Sequence, residues 1–74
     1  MYAKLPEKIR QKYKERRSIF IENKFHPVLD NHSLTGKYEG CRSIDITGNY
    51  RAIFREDNDS IIFLAVGTHP QLYG

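Results

Sequence analysis

The sequence has a single cysteine, Cys41, which excludes an internal disulfide and fits a reducing compartment. At the predicted start of a strand, that thiol reads as a small apolar side chain. No apolar run approaches the length that crosses a bilayer, and the basic start lacks the apolar stretch of a signal peptide. A soluble, cytosolic protein without a membrane partner is therefore expected. The three histidines show no His-x-x-x-His spacing and there is no CxxC pair, which argues against a metal site. Neither a Walker loop nor Gly-x-Gly-x-x-Gly is present, so no cofactor is expected, and internal repeats and low-complexity tracts are absent. A serine triad would need a nucleophile setting that a chain this small does not offer.

What is present fits one small domain over residues 1–74, with a core that is marginal by area scaling. A hydrophobic content of 39% is normal for a folded chain rather than a disordered one. The net charge of +3 is unevenly spread, because residues 1–24 hold eight of the twelve Lys and Arg. That basic segment fits either a polyanion partner or a solvated face that keeps a small domain in solution.

Residues 41–69 organise the rest. Three runs rich in β-branched and aromatic residues are split by Thr47-Gly48-Asn49 and by Asp57-Asn58-Asp59, the pattern of an antiparallel meander. A two-residue Gly48-Asn49 turn would set Ile46 against Arg51 and Asp45 against Ala52, mixing charge with apolar surface on both faces. A three-residue loop, with Gly48 or Asn49 left-handed, pairs Asp45 with Arg51 and Ile44 with Ala52. It places Ile44, Ile46, Tyr50, Ala52 and Phe54 on one face, and Ser43, Asp45, Arg51 and Arg55 on the other. A three-residue loop over Asp57–Asp59 likewise turns Ile62, Leu64 and Val66 inward, with Phe63 and Ala65 opposite Ile53 and Arg51. Taken alone, the polar face reads first as an ordinary solvated surface with a cross-strand Asp45–Arg51 pair.

Ahead of the meander, Pro6 and Glu7 suit a helix start, and the spacing of Leu5, Ile9, Tyr13 and Phe20, with Ile19 beside them, predicts an amphipathic helix over about 6–23. The expected fold is α+β: this helix on one face of a three-stranded antiparallel sheet. Residues 25–40 read as a connector, with Phe25, Leu29 and Leu34 plugging the core edge and His26 at the surface. Beyond His69, Pro70 stops the ladder, and Leu72 and Tyr73 tuck back against the sheet.

Asn31-His32-Ser33-Leu34-Thr35-Gly36, Gly40-Cys41-Arg42-Ser43-Ile44, Gly48-Asn49-Tyr50-Arg51-Ala52-Ile53-Phe54 and Gly67-Thr68-His69-Pro70-Gln71-Leu72-Tyr73 together resemble the RelE/ParE superfamily of type II toxins, nearest its YafQ-like branch. The likeness spans roughly residues 5–73. It implies helices on one face of a curved sheet, an endoribonuclease that cuts mRNA on the ribosome, and a cognate antitoxin that blocks the site. It implies metal-free chemistry, in which a ribose 2′-hydroxyl attacks the adjacent phosphate with a base, cationic donors and an acid arranged around it. By this resemblance His69 is the general acid or base, Arg51 holds the scissile phosphate, and His32 and Tyr73 support them. Asp45 is either a base or a structural partner of Arg51. Arg42, Arg55, Lys12 and Arg16 are assigned to RNA contact.

The chain departs from the family pattern at Asp45, where a histidine or lysine is usual, at Asn49 for aspartate, at Ala65 for arginine and at Ser43 for lysine. Each lost cation removes transition-state stabilisation of about 3 kcal/mol by analogy with oxyanion donors. The family also begins with a strand and a helix, whereas this chain starts near the end of that helix. An internal start, a shortened gene or a fragment would each explain this, and an unpaired sheet edge is expected. Two further readings stand beside the nuclease: a catalytically weak relative that acts by binding its antitoxin or, as in the ParE-like branch, DNA gyrase, and an α+β domain that binds a partner by its sheet edge.

Overall fold

A computed structural model describes residues 4–73. Helix α1 (Glu7–Glu22) begins where Pro6, at ψ 145°, leaves the helical region yet offers its carbonyl to the amides of Ile9 and Arg10. It ends at Asn23, whose extended backbone still closes onto the Ile19 carbonyl at 2.8 Å. The expected stripe faces inward: Leu5, Tyr13 and Phe20 are buried, with Ile9 and Ile19 packed beside them.

A short 3-10 turn, Pro27–Leu29, buries Leu29 completely and closes on Asp30, which sits in the left-handed region at φ 46°. The sheet then follows in chain order as β1 (His32–Ser33), β2 (Arg42–Asp45), β3 (Tyr50–Asp57) and β4 (Ser60–Thr68), each antiparallel to its neighbour, and the short helix α2 (His69–Tyr73) completes the fold. Four strands replace the three expected. The addition, His32–Ser33 paired with Ser43 and Arg42, is two residues long and carries no readable alternation.

The first hairpin has the register that polarity requires, with Asp45 facing Arg51 and Ile44 facing Ala52. Its loop closes differently from expectation, since neither Gly48 nor Asn49 has a positive φ. Instead the Thr47 hydroxyl accepts the amides of Asn49 and Tyr50 at 3.3 and 3.2 Å. The second hairpin overturns the expected register. Its turn has two residues, with Asn58 at φ 57°, and Asp57 pairs with Ser60. Phe63 then faces Phe54, Leu64 is extruded as a bulge, and Ala65 faces Ile53.

Packing explains the bulge. Phe63 meets Tyr13, Phe20 and Phe54 with ring centroids 5.6, 5.8 and 5.5 Å apart, whereas Leu64 is left 46% exposed. Because β4 is apolar on both alternations, burying the larger ring decides which residues turn inward. Ile44, Ile46, Ala52 and Val66 complete this core under α1. Among the described residues the outer edge of β4 has no strand beside it. Phe25 is a second correction: it is 59% exposed rather than plugging the core. No described helix is long and apolar enough to cross a membrane.

The two registers predict opposite mutants. Phe63→Ala is expected to cost about 2–4 kcal/mol in urea unfolding, and Leu64→Ser less than about 1 kcal/mol; the reverse order would restore the alternating register.

Candidate active site

Arg51 is the hub of the sheet face opposite α1. Its guanidinium donates from Nε and Nη2 to the Ser43 hydroxyl at 3.0 and 2.8 Å, and from Nη2 to the Asp30 carbonyl at 3.2 Å. Its Nη1 meets the Asp45 carboxylate and lies 3.7 Å from the Asp30 carboxylate. The Arg51 side chain is 16% exposed, so these contacts lie in a screened environment. All three of its nitrogens are engaged within the protein.

His32 enters from β1. Its Nδ1 lies 2.9 Å from the Asp30 carbonyl and 3.3 Å from Arg51 Nη2, and its Nε2 lies 3.5 Å from Ser43 Oγ. The Ser43 hydroxyl receives two bonds from Arg51. Left-handed Asp30 is what aims its carbonyl at both residues.

His69 and Tyr73 reach this side through α2. Gly67 pairs with Arg51, and a Cβ there would lie 2.9 Å from Gln71 Oε1 and 3.5 Å from Leu72 Cδ2. The helix therefore folds back over the face that carries Arg51, and a bare glycine makes room for it. Thr68 and Gln71 cap one another: Gln71 Oε1 accepts the Thr68 amide at 2.8 Å, and Thr68 Oγ1 accepts the Gln71 amide at 3.4 Å. Leu72 is fully buried on this face, where Ile53 is also fully buried, and its carbonyl accepts the Tyr38 hydroxyl at 2.9 Å. The Tyr73 ring lies 5.7 Å from that of Tyr38 and 4.6 Å from the imidazole of His69. His69 is exposed, and an open cavity of about 510 Å³ beside it is lined by Asn49, Tyr50 and Thr68.

The residues singled out from sequence thus form two clusters, Arg51 with Asp45 and His32, and His69 with Tyr73. Among the described residues no hydrogen bond or ion pair joins one cluster to the other. The residues assigned to RNA contact scatter. Arg42 donates to Asn31 Oδ1 at 2.7 Å, Arg55 is exposed toward the β3–β4 turn, Lys12 pairs with Glu15 at 3.4 Å, and Arg16 donates to the Val28 carbonyl at 2.9 Å. Sequence reasoning missed Asp30, which acts largely through its backbone, and Ser43 as the hub's acceptor. The Thr-x-x-Gln spacing of Thr68 and Gln71 was a readable signal for α2. Among the described residues no group of three or more His, Cys, Asp or Glu could hold a metal ion.

A family model described as a bacterial toxin of type II toxin-antitoxin system, YafQ, matches residues 3–74. No curated protein matches the chain. Among solved structures, the chain is similar to YafQ from E. coli strain BL21(DE3), with a TM-score of 0.75 and 23% identity over 86% of this chain and 73% of that one. It is similar to a chain of the E. coli DinJ–YafQ toxin-antitoxin complex, with a TM-score of 0.71 and 26% identity over 86% of this chain and 72% of that one. It is also similar in fold to a copper-bound mutant toxin from Helicobacter pylori, with a TM-score of 0.68 and 19% identity over 96% of this chain and 78% of that one.

The seating of α2 is testable at Gly67. In Gly67→Ala the new methyl is expected to push the Gln71 amide off Thr68, at a cost of about 1 kcal/mol, with faster hydrogen exchange at the Thr68 amide. Unchanged exchange would mean that α2 is not held by this cap.

Proposed function

Since the chain belongs to the YafQ family of toxins of bacterial type II toxin-antitoxin systems, we propose that it is a ribosome-dependent endoribonuclease of the cytoplasm that cuts mRNA and is held in check by a cognate antitoxin. The antitoxin partner is supported by the likeness to the DinJ–YafQ complex. The observation that carries the catalytic reading is the seating of His69: exposed, in tilted ring contact with Tyr73, and borne by a helix folded over the face of Arg51.

In the proposed reaction a base takes the proton of a ribose 2′-hydroxyl. Its oxygen attacks the neighbouring phosphorus, and the bond from phosphorus to the 5′-oxygen breaks as that oxygen takes up a proton. A 2′,3′-cyclic phosphate and a 5′-hydroxyl remain. His69 exchanges the proton at one of these oxygens, since an imidazole ring can both donate and accept a proton. His32 offers the second imidazole. Arg51 stabilises charge on the phosphorane, and to reach it the phosphate displaces Asp45 from Nη1. That competition also supports the reading of a slow enzyme that acts in part by binding, with Asp45 as the structural partner of Arg51 rather than the base.

Induced expression of the wild type is expected to arrest growth and yield mapped mRNA ends, and His69→Ala to lower cleavage by roughly a hundredfold or more. Arrest without cleavage, or equal cleavage in the variant, would contradict the catalytic role. Asp45→Asn keeps the shape and removes the competing charge, so cleavage is expected to rise on the order of two- to fivefold. If cleavage is lost instead, Asp45 is the base.

A further inference from the structure

Phe25 is a large aromatic side chain that the fold leaves 59% exposed, and it does not stand alone. Lys24 Nζ lies 5.6 Å and Arg42 Cζ 5.7 Å from its ring centroid. Neither cation is placed by chance. Asn31 accepts Arg42 Nε at 2.7 Å while donating to the Lys24 carbonyl at 2.8 Å, which clamps the loop to β2. The Asn23 side chain accepts the Phe25 amide at 3.2 Å, fixing the backbone that carries the ring.

The charges of the two cations differ in availability. Lys24 is paired with Glu56 at 3.1 Å. The Arg42 side chain has only the neutral Asn31 as a hydrogen-bond partner among the described residues, and its Nη groups donate to nothing there. An exposed aromatic ring with an arginine over it whose Nη donors are free is an arrangement on which bases of single-stranded nucleic acid stack while their phosphates are held. An acidic peptide would use the arginine but gains little from the ring.

We propose that Phe25 and Arg42, steadied by Asn31, form a stacking site for one base of single-stranded RNA that flanks the nucleotide being cut. This rests on the endoribonuclease reading. The location fits it, because Asn31 directly precedes His32 on β1 and Arg42 directly precedes Ser43 on β2. Along β2, alternation sends Arg42 and Ser43 to opposite sides of the sheet, and β1 is an edge strand of two residues. A strand of RNA that crosses this short edge meets Phe25 on one side and His32 with Arg51 on the other.

The test measures binding of a fluorescent single-stranded oligoribonucleotide, with mRNA cleavage on ribosomes followed in parallel, for the full chain, Phe25→Ala and Phe25→Trp. Phe25→Ala is expected to weaken binding roughly five- to a hundredfold without changing its salt dependence, since no charge is lost, and Phe25→Trp to restore it. Equal affinity of Phe25→Ala and the wild type overturns the stacking site, whether or not mRNA is cut. So does an effect of Phe25→Ala confined to binding of an acidic peptide. Phe25-dependent binding by a wild type that cuts no mRNA sustains the stacking site while the endoribonuclease reading fails.

Discussion

The face that would meet substrate is organised by one guanidinium. Arg51 reaches Ser43 on β2, Asp45 at the end of the same strand and the Asp30 backbone ahead of β1. Hydrogen bonds that involve a charged group contribute about 1.5–3 kcal/mol each, so in a chain of this size one side chain ties β1, β2 and β3 together. The cost falls on function. A phosphate arriving at Arg51 finds its nitrogens already occupied, and an anion in the place it would take.

That arrangement follows from loop length. With three residues between Ile46 and Tyr50, Asp45 and Arg51 are cross-strand neighbours; with two, Arg51 would face Ile46 among apolar side chains. This register could be read from the sequence because only one of the two choices separates charge from apolar surface. The second hairpin offered no such choice. Ser60–Thr68 is uncharged and apolar on both alternations, and the aromatic cluster of Tyr13, Phe20, Phe54 and Phe63 settles the register from across the core.

The candidate site was legible unevenly for related reasons. His32, Asp45, Arg51, His69 and Tyr73 could be named from motifs. The groups that hold them could not, because they act through a backbone carbonyl at Asp30, a missing Cβ at Gly67 and a hydroxyl at Ser43, which composition does not distinguish from ordinary loop and strand residues. Phe25 was misplaced for the converse reason. An aromatic in a connector is expected to cover a core, and only the fold reveals that Phe25 is left exposed with two cations at its ring.

Where the substrate lies on the protein can be measured directly. Titrating the isotope-labelled protein with a short RNA that carries a 2′-O-methyl group at the scissile position, so that it binds without being cut, would map contact residue by residue in NMR spectra. The largest shifts are expected at His32, Arg51, His69 and Tyr73. Shifts confined to the outer face of α1 or to the free edge of β4, with these four unmoved, would contradict the catalytic reading.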